Sequence, residues 1–152
     1  CIGYLKDKEH TDELFDENGY LCTGDLGYLD EENYLFLKGR KKNLIVTEGG
    51  KNVYPEEIED MFQLYSDIDQ ILIRGFQLKP DVPSESIEAV IHPSDEYSKG
   101  KSKEEIESHI NEIVSIVNKD LVGYKKIEKI TILDKPMEVT TTQKIKRRTV
   151  KA

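Results

Sequence analysis

The sequence predicts an α+β fold: a small mixed or antiparallel sheet with packed helices, preceded by a β-hairpin. Three observations carry that reading. Short strand-like runs alternate irregularly with helical patterns, which suits a small sheet better than a doubly wound one. Asp30-Glu31-Glu32-Asn33 separates two short apolar runs, at 26–30 and 34–37, as a polar turn does in a hairpin. Ile106, Ile110, Ile113, Val114, Val117 and Leu121 form one apolar stripe at helical spacing, behind a capping-box pattern at Ser102 and Glu105. With 152 residues and 37% hydrophobic, the chain accommodates one domain, or one small domain and a piece of another.

In order, residues 1–19 are polar, with a helical turn expected at 11–15 and a chain reversal at 16–19. Residues 20–22 read as a short strand, interrupted by Thr23-Gly24-Asp25. The stretch 39–59 organises the rest. It runs from Gly39-Arg40 through two lysines into a short strand at 44–46, the Gly49-Gly50 turn, and a helix with Pro55 first. Acids in that helix's first turn complement its dipole. Ile58, Met61, Phe62 and Tyr65 continue as a core-facing stripe. Residues 68–75 and 87–91 read as strands, the second ended by Pro93, with a loop at 77–84 carrying Pro80 and Pro83. The long helix starts after Ser102, and Gly123 stands where its C-terminal cap belongs. Residues 129–133 alternate like a strand. A polar loop at 136–143 leads into the basic tail Lys144-Ile145-Lys146-Arg147-Arg148, with Lys151 beyond.

Composition excludes several function classes. A net charge of -8 with 34% charged residues describes an acidic, soluble surface, which disfavours bulk binding to nucleic acid or anionic lipid. No apolar run approaches the roughly 18 residues of a membrane span, and no signal-peptide pattern is present. Cys1 and Cys22 give neither metal spacing nor a disulfide framework, so a reduced, cytoplasmic setting is expected. His10, His92 and His109 lack the spacing of a zinc site, and no metal ligand is assigned. Gly100-Lys101-Ser102 imitates the end of a phosphate loop, but Asp95 occupies the place of its leading glycine. The chain opens on Cys1-Ile2-Gly3-Tyr4 with no initial Met, which reads as the interior of a longer protein.

Four features have chemical potential. Asp25, following a glycine where a strand breaks, can offer two oxygens to a vicinal diol such as ribose; an ordinary turn Asp is the plainer alternative. Arg40 carries a planar fork suited to ribose oxygens, phosphate or carboxylate, or simply to solvent. Gly49-Gly50 permits positive φ or close approach of another group. The tail is either a solvated terminus, a nucleic-acid contact, or the source of one lysine that enters a phosphate site as a point charge.

Together, 3–15, Gly19-Tyr20-Leu21-Cys22-Thr23-Gly24-Asp25-Leu26-Gly27, 39–59 and 144–148 resemble, in order and spacing, the C-terminal part of the adenylate-forming enzymes. That superfamily includes acyl-CoA synthetases, firefly luciferases and the adenylation domains of peptide synthetases. The resemblance implies that residues 1–40 are the edge of a large AMP-binding domain and 41–152 its mobile C-terminal lid. It implies that Asp25 binds the ribose hydroxyls with help from Arg40, and that Lys42 is the hinge. Lys144 is implied to reach the α-phosphate and carboxylate during adenylation, and Gly49 and Gly50 to line the path of the pantetheine arm after the lid rotates.

Gly39-Arg40-Lys41-Lys42-Asn43 and the run from Gly50 to Glu59 look most like bacterial long-chain fatty acyl-CoA synthetases. Two departures stand out. The interval from Arg40 to Gly50 is one residue longer than the commoner pattern, and Gln143 precedes Lys144 where most members have Gly. The parent enzyme is expected to use ATP, Mg²⁺, CoA and a fatty acid, with the large N-terminal domain as this chain's partner. The chain alone lacks the phosphate loop and acyl pocket, so it is expected to hold no cofactor and turn over nothing. The rival readings are a peptide-synthetase-type adenylation domain and, from another class, a protein or nucleic-acid interaction module.

Overall fold

The structure, a computed structural model, describes residues 2–77 and 85–150. The expected loop at 77–84 lies outside the described residues except for Gln77, as do Cys1 and Lys151. The chain divides into two compact units, Cys1–Lys42 and Asn43–Ala152.

The first unit opens with a short helix, α1 (Lys8–Asp12), capped by the Asp7 carboxylate, which accepts from the His10 N–H at 3.2 Å. The expected turn at 11–15 is thus displaced toward the N-terminus. Thr11 lies inside the last turn of α1 instead of starting a helix, and its hydroxyl donates to the Asp7 carbonyl at 2.6 Å and accepts from the Tyr4 N–H at 2.9 Å. The expected strand at 20–22 is reduced to a single bridge between Phe15 and Leu21. Asp16 Oδ1 takes the N–H groups of Asn18 and Tyr20 at 2.9 and 2.8 Å, curling the backbone before a ladder forms.

The hairpin forms as expected from β1 (Asp25–Leu29) and β2 (Leu35–Arg40), antiparallel. Asp30 closes its turn by accepting from the N–H groups of Glu32 and Tyr34. A bulge at Leu26/Gly27 brings the partner strand close: a Cβ on Gly27 would stand 2.5 Å from the Phe36 carbonyl oxygen. Asp25, placed by the sequence reading in a strand break, is the first residue of β1.

In the second unit β3 (Ile45–Val46) and β4 (Asn52–Val53) form a minimal hairpin around Gly49-Gly50. The strand β4 was too short to leave a periodic signal. Helix α2 (Pro55–Glu59) tightens into a 3₁₀ turn over Asp60–Phe62, then β5 (Ile68–Phe76) and β6 (Ser86–Pro93) follow. After a one-turn helix, α3 (Asp95–Ser98), comes the long α4 (Lys103–Asp120), whose Ser102–Glu105 capping box is formed in both directions. Strand β7 (Ile127–Ile132) completes a sheet of order β5-β6-β7. β5 and β6 are antiparallel and β6 and β7 parallel, so α4 serves as the crossover that a parallel pair requires.

Gly123 is not the helix cap. The backbone leaves α4 in an extended conformation at Leu121, whose side chain packs on the core, and Gly123 opens a 3₁₀ turn, Gly123–Lys125.

Side chains of the sheet alternate between its faces with period two. Ile73, Ile87, Ala89, Ile91 and Ile127 share one buried cluster with Ile58, Phe62 and the α4 stripe, Ile110, Ile113, Val114 and Val117. The opposite face, with Leu72 and Val90, is covered by Met137, Leu133, Ile145 and Val150. The segment after β7 is therefore a strap across the sheet, and the basic tail, with Ile145 and Val150, is half of it. Apolar residues at 137, 145 and 150 are too widely spaced to register as a pattern.

Candidate functional site

Asp25 and Arg40 are opposite each other in the β1–β2 register, at the open end of the hairpin. Arg40 Nε meets Asp25 Oδ1 at 2.6 Å, while a guanidinium NH donates to the Thr23 carbonyl at 3.4 Å. Local chemistry aims the carboxylate. The Asp25 N–H donates to Thr23 Oγ1 at 3.2 Å, and Gly24, at φ 75, lets its carbonyl accept from Lys41 N–H at 2.8 Å. Side-chain exposures of 34% for Asp25 and 47% for Arg40 leave the pair within reach of a ligand.

Lys42 lies in a 3₁₀ turn, Lys41–Asn43, is exposed, and is the last residue of the first unit. Gly49 and Gly50 hold φ values of 84 and 70, where an L side chain is disfavoured, and nothing stands within 4 Å of a Cβ built on either. Lys144 sits on a separate hairpin of the second unit. That hairpin is bridged at Val139–Ile145, and its turn is closed by Thr140 N–H to the Lys144 carbonyl at 2.8 Å. Gln143 takes φ 61, the left-handed conformation glycine would adopt most easily, so the departure from Gly leaves the turn intact. Lys144 itself is exposed. The structure thus brings together Asp25 and Arg40 within the first unit and sets Gly49-Gly50 and Lys144 on two distinct hairpins of the second.

Sequence reasoning missed the polar residues that hold these hairpins. Glu59 on α2 accepts from both directions: from Arg147, whose NH2 reaches Oε2 at 2.6 Å and Oε1 at 2.8 Å, and from the Ile73 N–H at 2.7 Å. Burial holds the Glu59 carboxyl above the usual carboxylate range, and the Arg147 charge and the Ile73 N–H offset this only in part. On the other side of the sheet Glu88 is 1% exposed, yet it meets Arg74, Lys129 and Thr131 at 2.7, 2.8 and 2.7 Å. Burial pushes its carboxyl up, and these three donors outweigh that, leaving it lowered. Glu56 Oε1 accepts from Asn43 at 2.8 Å, and its Oε2 is buried without a hydrogen-bond partner among the described residues. A charged residue inside each of two apolar strands, Arg74 and Glu88, was the available signal that these strands pair through an ion pair.

Comparison with known proteins bears on the family and the fold. Over 98% of its length the chain is 35% identical to a 2-succinylbenzoate–CoA ligase of Listeria monocytogenes, and it spans 28% of that protein. Over 73 residues, 48% of the chain and 12% of the relative, it is 44% identical to a long-chain fatty acid–CoA ligase of Mycobacterium tuberculosis. Its fold matches the o-succinylbenzoate CoA synthetase of Bacillus subtilis in complex with its acyl-adenylate intermediate. That match has a TM-score of 0.71 and 27% identity, and covers 99% of this chain and 28% of that one. The mixed α+β arrangement is that of the lid domain of AMP-binding enzymes. Residues 42–152 match the AMP-binding enzyme C-terminal domain, and the chain belongs to that family.

Proposed function

We propose that this chain is the C-terminal part of an ATP-dependent acid–thiol ligase, with residues 1–40 the edge of its large AMP-binding domain and 41–152 its lid. The parent enzyme joins a carboxylic acid to AMP with release of pyrophosphate, then transfers the acyl group to the thiol of CoA. The observation that carries this reading is the division of labour between two units that meet at Lys42. One holds an ion-paired, reachable carboxylate–guanidinium couple; the other presents an exposed lysine, Lys144, on a held hairpin. Exposed Leu29, Leu35 and Leu37 on the first unit's hairpin also suit strands at the edge of a larger body.

Asp25 accepts hydrogen bonds from the ribose hydroxyls, and Arg40 fixes the carboxylate while adding a donor to the sugar. Lys144 meets the negative charge that builds on the α-phosphate and carboxylate when they react. A positioned cation in a site closed to water is worth most there, and loss of one such group costs about 10²–10³ in rate. Rotation at Lys42 then exchanges Lys144 for the Gly49-Gly50 turn, whose open backbone admits the pantetheine arm. Among the described residues no group of three or more acidic, His or Cys side chains gathers to hold a metal ion. In the parent enzyme Mg²⁺ arrives on the nucleotide.

The acid is a long-chain fatty acid, a reading that rests on the runs at 39–43 and 50–59; the 44% local identity over 73 residues is the same for the mycobacterial ligase and for a 2-succinylbenzoate ligase, so it does not separate the two acids. The longer match to a 2-succinylbenzoate ligase favours an aromatic acid as second reading. Acid-dependent pyrophosphate release by the full-length enzyme decides between them. Palmitate-class acids should support release with CoA as acceptor. Activity confined to 2-succinylbenzoate would overturn the fatty-acid assignment, and transfer only to a carrier-protein thiol would overturn CoA as the acceptor. Lys144→Ala should abolish adenylation and largely spare thioester formation from preformed acyl adenylate. Residues 1–152 alone should release no pyrophosphate.

A further inference from the structure

Lys144 is exposed, but the hairpin carrying it has little freedom. At its start, the Gln70 side chain accepts from the Met137 N–H at 2.5 Å and donates to its carbonyl at 3.4 Å. At its end, an Arg74 NH donates to the Val150 carbonyl at 2.9 Å. Ile145, next to the lysine, packs against the Leu72, Val90 and Met137 cluster. Between these points lies Arg147, three residues beyond Lys144. Its fork donates to both oxygens of Glu59 and to the Ile73 carbonyl at 2.8 Å.

Ile73 is in β5, the edge strand of the sheet, and its N–H donates to the same Glu59. The ion pair therefore closes both free-edge groups of residue 73 and ties the hairpin to α2 and β5 at once. Lysine's ammonium offers a single point of attachment, so it cannot reproduce this set of contacts.

The network also reaches the chain's junction. Glu56, one turn before Glu59 on α2, has its Oε1 3.7 Å from Arg147 NH2, and that oxygen accepts from Asn43, the residue after Lys42.

We propose that Arg147, with Glu59 as its counter-charge, is the positioning residue for Lys144, and that through Glu56 and Asn43 it makes the Lys144 hairpin move as one body with the chain at the junction. The inference rests on the reading of Lys144 as the lysine of the adenylation step. A turn at residue 42 delivers Lys144 to a fixed place only if nothing between them is slack. A misplacement of about 1 Å at a reacting centre costs on the order of 10²-fold in rate. Thioester formation uses a different hairpin, so it is insensitive to this slack.

The test is made in the full-length enzyme with Lys144→Ala, Glu59→Gln and Arg147→Lys, plus Glu57→Gln as control. Glu57 is on the same helix and makes an ion pair of 2.7 Å with Lys125, which lies on neither the Glu59–Arg147 pair nor the Lys144 hairpin. Glu59→Gln and Arg147→Lys should each slow adenylation by about 10–100-fold and leave thioester formation from preformed acyl adenylate within about threefold. Added to Lys144→Ala, Glu59→Gln should cause little further loss, since both act through one group.

Hydrogen exchange should quicken at the amides of Thr140, Gln143, Lys144 and Lys146 and stay unchanged in α4. Glu57→Gln should do none of this. If Lys144→Ala abolishes adenylation while Glu59→Gln and Arg147→Lys leave it intact, the positioning role is overturned. Equal loss of both half-reactions overturns it too, since that marks a merely structural pair. If Lys144→Ala leaves adenylation intact, the underlying reading of Lys144 fails, and the exchange data then report the tether alone. Should Glu59→Gln not fold, Arg147→Lys, which keeps the charge, decides by the same criteria.

Discussion

Asp25 and Arg40, fifteen residues apart, face each other across the open end of the β1–β2 hairpin, with Nε 2.6 Å from Oδ1. The pair is too exposed for its mutual attraction to matter much to stability. On the proposed reading, its value lies in holding a carboxylate at fixed orientation where a sugar can reach it. Asp25→Asn in the full-length enzyme should raise KM for ATP about 10–100-fold, in line with roughly 1.5–3 kcal/mol for hydrogen bonds to a charged group. Arg40→Lys, which keeps the charge and loses the fork, should fall between Asp25→Asn and the unaltered enzyme. Steady-state kinetics with varied ATP gives the answer, and an unchanged KM in Asp25→Asn removes Asp25 from the nucleotide site.

Glu88 is the most deeply buried carboxylate described, and its partners come from β5 and β7, the two strands flanking its own. Removing it leaves Arg74 and Lys129 facing each other without a counter-charge. Glu88→Ala should cost about 3–5 kcal/mol, read from the urea midpoint of the chain. Because its folded pKa is lowered, Glu88 contributes stability above the ordinary glutamate range, and that contribution is lost as pH falls through the folded value. Unfolding followed from neutral pH into acid should therefore show a steeper loss for the unaltered chain than for Glu88→Gln.

Gly49 and Gly50 sit at positive φ with open space around the missing Cβ atoms. Alanine there meets no neighbour, so the expected cost of Gly50→Ala is backbone strain alone, about 1–2 kcal/mol. On the reading that this turn faces the thiol in the second half-reaction, Gly50→Ala should slow thioester formation more than adenylation. Separate assays of the two half-reactions check it, and a selective loss of adenylation would reverse the assignment of the two hairpins.

The stripe on α4, its capping box, the hairpin at 25–40 and the strands β5 and β6 were legible because each rests on contacts between near neighbours or on strict periodicity. Gly49-Gly50 and Asp25 were legible as candidates for the same reason: their backbone demands are local. The strap was not, since Met137, Ile145 and Val150 touch the sheet at irregular intervals and leave no period to read. The acids at 56 and 57 looked like complements to a helix dipole, and Glu59 had no reading; the three are tethers to Asn43, Lys125 and Arg147, up to 88 residues away. Ion pairs at such separation are set by tertiary placement, and one sequence contains nothing that pairs them. Gln143 shows the converse limit: its left-handed backbone is imposed by the turn that Thr140 closes, against the preference of its side chain.

Glu59 and Glu88 should respond to acid in opposite senses. The groups facing Glu59 are the Arg147 guanidinium and the Ile73 N–H, which favour its charged form, and the Glu56 carboxylate, which opposes it; burial opposes it most. The folded pKa is raised, so the folded state holds this proton more tightly than the unfolded chain does. Glu59's contribution to stability is then full below the unfolded value and is lost as pH rises through the folded one. Mild acid consequently does not unfold the protein through Glu59, but it does discharge the partner that Arg147 needs. Adenylation should decline on the acid side at a pH above the ordinary glutamate range, while the fold persists by circular dichroism and thioester formation holds. Glu59→Gln should be slower throughout and lack that acid limb. If its pH–rate profile keeps the same limb as the unaltered enzyme, the titrating group is elsewhere.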